Sequence, residues 1–236
     1  METVDEIWNW ATELNPDFEE EELTEYVTVY KNVFKYPDRV LEFQKLLTKW
    51  ESSMSARPGI STLALPCWTG KDIIDNLLDY DNEWQISENH VDVEYIYFYA
   101  NNTQKFRSSE SLNEDLYTGN CLLPHNDSST DEIDSHIFLL NLNNRPVRTG
   151  FWSMNGEVVG DMDLTDELSE YCDTIDINNL EEKTNNGILD NVLNIEYNFN
   201  EALFYNGKAF HQPWIDNFYT RDNPRIMLRL SFDLQP

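Results

Sequence analysis

The chain has 236 residues, of which 40% are hydrophobic and 13% aromatic, enough for one domain with a sizeable core. It carries 44 acidic residues against 16 basic ones, a formal charge of −28. Such a field repels polyanions, and no basic patch is visible, so nucleic acid is not expected as a partner. No apolar run is long enough to span a bilayer, and the acidic start, Met1 to Glu6, lacks the basic opening of a signal peptide. A soluble, cytoplasmic protein without a membrane partner is the expectation. The oligomeric state is not legible. Cys67, Cys121 and Cys172 are odd in number and not spaced as a metal knuckle or redox pair, which fits reduced, buried thiols.

Taken in chain order, residues 1–25 read as an acidic arm or helix, with Ile7, Trp8, Trp10 and Ala11 as a short apolar face and Glu19–Glu22 as a solvated charge run. Tyr26 to Tyr30 is β-branched and aromatic, a strand. Pro37-Asp38 opens a helix in which Val40, Leu41, Phe43, Leu46, Leu47 and Trp50 recur at helical spacing over 38–53. A second helix is expected over Asp72–Tyr80, so that 26–90 is mainly helical support. From residue 91 the period changes to two, with Val91, Val93, Tyr95, Tyr97 and Tyr99 alternating along a strand. The polar stretch Asn101–Asp115 reads as a loop. Short strands are expected at 136–142, 148–154, 201–206 and 225–232. An acidic, Asn-rich insertion at about 156–200 has short helical patterns near 164–171 and 188–193. The whole is read as a single domain, mainly β with flanking helices, a jelly roll with its N-terminal helices packed on one sheet and its core over 91–236.

The chain holds only four histidines. His125-Asn126-Asp127 is an H-x-D triplet, and in an extended segment residues i and i+2 project to the same side. An imidazole and a carboxylate then converge on one point, and a third ligand from a distant strand would complete the two-His, one-carboxylate face used by non-haem Fe(II) oxygenases. Asp134-Ser135-His136 is also a same-side pair, but it opens an apolar strand and reads as a satisfied histidine at a sheet edge. His90 has no acidic partner at motif spacing.

The context of the triplet resembles a family. Tyr117, then Gly119-Asn120-Cys121-Leu122-Leu123-Pro124-His125-Asn126-Asp127, is similar to the metal-binding strand of the prolyl-4-hydroxylase-like 2-oxoglutarate/Fe(II)-dependent oxygenases. Phe138 to Asn143 resembles that family's next strand, and Arg148-Thr149-Gly150-Phe151-Trp152 its threonine turn, here as Val147-Arg148-Thr149 without the usual glycines. Ala202-Leu203-Phe204 to His211 resembles the strand leading to its distal histidine. Pro224-Arg225 to Phe232 resembles the strand that carries the co-substrate's basic anchor.

The resemblance covers roughly 90–232 and implies a double-stranded β-helix binding Fe(II) through His125, Asp127 and His211. It implies 2-oxoglutarate and O2 as co-substrates, with Thr149 among the co-substrate-binding residues and an arginine on the far carboxylate, or two arginines, one on each carboxylate. Arg225 begins the strand as the family's basic residue does, while Arg229-Leu230-Ser231 resembles the Arg-x-Ser pair of a related branch. Arg225 is favoured, and each arginine stays a candidate. Tyr117, Trp152, Tyr205 and Trp214 are candidate pocket-lining residues. The implied reaction is hydroxylation of a C–H bond, with succinate and carbon dioxide as co-products. Its substrate would be a protein or peptide side chain such as proline, or else a small metabolite or amino acid. A non-catalytic jelly-roll binding protein is the alternative of a different class, and a cupin dioxygenase would want more histidines than the chain offers.

Overall fold

The computed structural model describes residues 4–24, 27–47, 50–52, 60–62, 65, 68–79, 91–101, 127, 134–154, 189–207, 209–214 and 225–234. All three cysteines, His90, the polar stretch 102–115 and most of the expected insertion (156–188) lie outside them.

The N-terminal part runs α1 (Val4–Ala11), β1 (Glu19–Thr24), β2 (Val27–Lys31), α2 (Pro37–Leu46), β3 (Trp50–Ser52), β4 (Ile60–Thr62) and α3 (Trp68–Asp79). The rest is all strand: β5 (Val91–Asn101), β6 (Asp134–Asn141), β7 (Val147–Met154), β8 (Leu189–Tyr197), β9 (Ala202–Asn206), β10 (His211–Trp214) and β11 (Arg225–Leu234). Every pair of neighbouring strands is antiparallel. Among the described residues they form one eight-stranded sheet, in the order β1-β2-β9-β6-β11-β5-β4-β3, and one three-stranded sheet, β10-β7-β8.

Side-chain alternation divides the core into two layers. On one face of the large sheet Tyr30, Phe138, Leu140, Ala202, Leu228, Leu230 and Phe232 pack against the helices, which contribute Trp8, Ala11, Val40, Phe43, Ile73, Ile74 and Leu77. The Trp8 indole lies 4.8 Å from the Phe43 ring and donates to the Thr69 carbonyl at 3.0 Å, joining the three helices. On the other face Val27, Val29, Ile137, Leu203, Tyr205 and Met227 meet Val147, Phe151, Ile195 and Tyr197 of the small sheet. The result is helices, large sheet and small sheet in three layers, as expected for a sandwich with helices on one side.

Four expectations are corrected. The charge run Glu19–Glu22 is strand β1, at the end of the large sheet, with all four residues exposed. Charge on an edge strand discourages further pairing, so an acidic run is compatible with a strand there. The expected helix over 38–53 stops at Leu46: Leu47 is extended, Leu46 is 67% exposed, and Trp50 to Ser52 pair with β4. The helical pattern near 188–193 is instead part of β8, paired with β7 along its length. Apolar residues four apart there mimic a helix, but Leu193, Ile195 and Tyr197 have strand alternation and pack in the inter-sheet core. His136 is not at a sheet edge, because β6 lies between β9 and β11. It is buried on the helical face, stacked on Phe204 and Phe232 at 5.3 and 5.8 Å.

Candidate functional site

Strand β11 places Arg225, Met227 and Arg229 on its inter-sheet side, alternating with Leu228 and Leu230 on the helical side. Arg229 and Arg225 both enter the inter-sheet layer, about 13 Å apart along the backbone at roughly 3.3 Å per residue. They serve different groups.

At Arg229, four side chains converge. Its Nη2 lies 2.8 Å from Asp127 Oδ2, and the two side chains are 12% and 6% exposed. The Asp127 N–H donates to the Gly207 carbonyl at 2.8 Å, which sets the residue beside the turn that follows β9. Nε2 of His211, at the start of β10, lies 3.3 Å from the same carboxylate oxygen. The Tyr205 hydroxyl is 3.0 Å from His211 Nε2 and 3.3 Å from Asp127 Oδ2. Burial, then the Asp127 charge, push the Tyr205 phenol well above its ordinary value of 10.0, with Arg229 opposing, so it remains a protonated donor.

His211 Nδ1 faces the Ala209 carbonyl at 2.9 Å, and a carbonyl can only accept, so Nδ1 carries a proton and in the neutral imidazole Nε2 keeps the lone pair. That lone pair and a carboxylate oxygen, 3.3 Å apart and buried, are a donor set that suits a divalent cation of borderline softness. Phe151 closes one side of the pair, its ring 5.5 Å from Tyr205 and 6.2 Å from His211.

At Arg225 a second charged side chain is buried. The residue is 1% exposed. Its Nη2 donates to the Tyr197 hydroxyl at 3.0 Å, and that hydroxyl is 3.3 Å from Thr149 Oγ1. Its Nε has no hydrogen-bond partner. A buried guanidinium with a donor left over beside the Tyr197 hydroxyl is the kind of group that an anion stabilises.

Asn141, the asparagine that closes β6, supports this end of the site. Its amide donates to the carbonyls of Arg145 and Tyr197, each at 3.0 Å, which binds the turn after β6 to the end of β8.

Of the residues singled out in the sequence, Asp127, His211, Arg229 and Tyr205 come together, and Arg225 and Thr149 come together. His125 and Tyr117 lie outside the described residues, as does the side chain of Trp214. Among the described residues no group of three metal-ligating side chains occurs, so Asp127 and His211 stand as a pair. Trp152 is buried, with its backbone N–H donating to the Phe210 carbonyl at 2.9 Å, but it is the ring of its neighbour Phe151 that lies 6.2 Å from His211. Tyr197 and Phe151 were not anticipated. The alternation of Leu193, Ile195 and Tyr197 was the available signal for the first, and the inward parity of Thr149 and Phe151 for the second. Away from the site, a cleft of about 550 Å³ lies between α1 and α3, lined by Thr12, Phe18, Asp72 and Asn76 among others.

No protein-family model matches the chain, and no curated protein does. Among solved structures, it is similar to the non-heme alpha ketoglutarate dependent carbocyclase SnoK from nogalamycin biosynthesis, at a TM-score of 0.50 and 8% identity, over 98% of this chain and 86% of that one. The epimerase SnoN from the same biosynthesis follows at 0.48 and 11%, over 99% and 85%. HygX from Streptomyces hygroscopicus, with nickel and 2-oxoglutarate bound, follows at 0.48 and 11%, over 89% and 83%. At these identities the likeness to SnoK is one of fold. No helix among the described residues is long and apolar enough to cross a membrane.

Proposed function

We propose that the protein is a non-haem Fe(II)- and 2-oxoglutarate-dependent oxygenase that oxidises a C–H bond of a small molecule. On this reading the two facing sheets are a double-stranded β-helix, and the metal is held by Asp127 and His211, with His125 as third ligand. The observation that carries it is the buried Arg225 guanidinium, with Tyr197 and Thr149 beside it, in the same inter-sheet layer as the Asp127–His211 pair. A metal-ligand pair and a carboxylate receptor in one inter-sheet layer are what a chelating dicarboxylate co-substrate needs.

Bound iron and 2-oxoglutarate supply the oxidation of a C–H bond by dioxygen, with succinate and carbon dioxide as co-products. The chain's own residues do the rest. Arg225 and Thr149 orient the far carboxylate. Ala209 fixes the His211 tautomer, the Tyr205 hydroxyl donates to Asp127 Oδ2, and Phe151 helps to exclude water. Hydroxylation is one outcome of such chemistry. The fold neighbour SnoK is a carbocyclase from the biosynthesis of a small molecule, and this favours a metabolite over a peptide proline as substrate.

Anaerobic titration with Fe(II) and 2-oxoglutarate is expected to give a weak visible charge-transfer band, and aerobic turnover without substrate to release succinate. Loss of neither on His211→Ala would exclude this assignment. Succinate release stimulated by peptides and not by small molecules would move the substrate class.

A further inference from the structure

We propose that Arg229 is an internal cation that holds the Asp127 carboxylate in the metal-free protein and competes with the metal for it. The proposal rests on the Fe(II)/2-oxoglutarate reading, and it concerns the affinity of that site.

The oxygen that Arg229 engages is the one that faces the histidine. Asp127 Oδ2 lies 2.8 Å from Arg229 Nη2 and 3.3 Å from His211 Nε2. An ion bound between Oδ2 and Nε2 therefore shares its carboxylate oxygen with a guanidinium. The Asp127 side chain is 6% exposed, so an uncompensated carboxylate here would be costly, and Arg229 removes that cost when no metal is present. Once a divalent ion arrives, the same guanidinium is a like charge a few ångströms away, with little water between them.

Arg229 cannot leave by moving its backbone, since β11 is paired on both sides, to Tyr97 of β5 and to Leu139 of β6 at this residue. Its side chain must yield instead. Nor does the proposed co-substrate site require it, because Arg225 is the arginine beside Tyr197 and Thr149. The arrangement keeps the metal-free site ordered at the expense of affinity.

The test uses the full chain, stripped of metal, as wild type, Arg229→Gln, Arg229→Lys and Asp127→Asn. Mn(II) binding is followed by the EPR signal of the free ion, and thermal unfolding is recorded with and without Mn(II). Arg229→Gln is expected to bind Mn(II) about tenfold more tightly than wild type, by removal of a like charge. Its metal-free Tm should fall, while its Mn(II)-loaded Tm stays near that of the loaded wild type. Arg229→Lys retains the charge and should stay within about threefold of wild type.

Equal or weaker Mn(II) binding by Arg229→Gln overturns the proposal and leaves the metal site standing. If Arg229→Gln does not fold without metal, it should refold with Mn(II) present, and failure to do so also overturns the proposal. If wild type binds Mn(II) no better than Asp127→Asn, the metal reading itself fails and the proposal falls with it.

Discussion

Arg225 and Tyr197 meet across the two sheets, the guanidinium Nη2 donating to the phenol oxygen at 3.0 Å. One residue comes from the strand at the centre of the large sheet and the other from the edge of the small one. The contact joins the sheets at a charged, nearly inaccessible point where apolar packing would otherwise be expected. A fold tolerates such a charge when an anion repays it.

Replacing Arg225 by Met should therefore separate folding from co-substrate binding. We expect the variant, without ligand, to be as stable as wild type or more so by about 1 kcal/mol, since a buried and incompletely paired charge is exchanged for an apolar chain of similar reach. Its affinity for 2-oxoglutarate should fall by at least about 100-fold with the loss of a charge-assisted fork. Urea unfolding and calorimetric titration measure the two effects. Tyr197→Phe should act oppositely on stability, costing about 1–3 kcal/mol, because it removes a partner of the buried guanidinium. A Met variant that still binds 2-oxoglutarate would move the anchor role to Arg229.

The ligand pair makes a second prediction. Asp127→Asn and His211→Ala should each abolish the stabilisation that Co(II) or Mn(II) confers on the wild type, which amounts to about 2.7 kcal/mol at a metal concentration 100 times Kd. Thermal unfolding with and without metal is the measurement. His136→Ala, on the opposite face of the large sheet, should lose packing stability and retain the full metal-induced shift. A loss of the shift in His136→Ala would mean that the wrong histidine has been assigned.

The layered architecture was legible because two-residue alternation in β6, β9 and β11 sends one set of side chains to the helices and the other to the small sheet. The same alternation placed Arg225 and Arg229 on one side. Which group each arginine would meet was not legible, because that depends on how the small sheet is stacked, and stacking is a tertiary matter. Tyr197 escaped notice for a related reason: it ends a stretch rich in Asp and Asn, whose composition resembles a loop until the pairing of β8 with β7 is known. Leu46 and Trp50 misled in the other direction. Their helical spacing continues past the point where Leu47 turns extended and the chain enters β3.

Asn200 supports a third prediction. It sits at φ 64°, a left-handed conformation that Asn tolerates better than most residues. Its side chain bonds both backbone groups of Phe34, accepting at 2.9 Å and donating at 2.8 Å, while its own N–H reaches the Asn141 carbonyl. It thus ties the turn between β8 and β9 to the segment before α2. Asn200→Ala should cost about 2–4 kcal/mol by urea unfolding, from two lost buried hydrogen bonds and the left-handed backbone. Asn200→Gly removes the backbone penalty and should recover about 1 kcal/mol of that loss. Equal stability of the two variants would show that the hydrogen bonds, and not the backbone angle, carry the whole effect.

The last prediction concerns the acidic edge. Glu19 to Glu22 form most of β1, which pairs with β2 on one side and ends the large sheet on the other. All four are exposed, and Glu21 is ion-paired with Lys31. An unpaired strand edge invites a second copy to extend the sheet, and carboxylates oppose this by like-charge repulsion and by their demand for water. Replacing Glu20 and Glu22 by Thr raises the strand's β propensity and removes two charges from that edge, while the Glu21–Lys31 pair remains. The double variant should keep its unfolding free energy within about 0.5 kcal/mol of wild type in dilute solution, as surface substitutions generally do. It should also self-associate at concentrations where the wild type does not, as read by light scattering. High salt should promote association of the wild type in the same direction, because screening weakens the repulsion that the substitution removes. If the variant scatters no more than wild type in either salt condition, the acidic run is not what protects this edge.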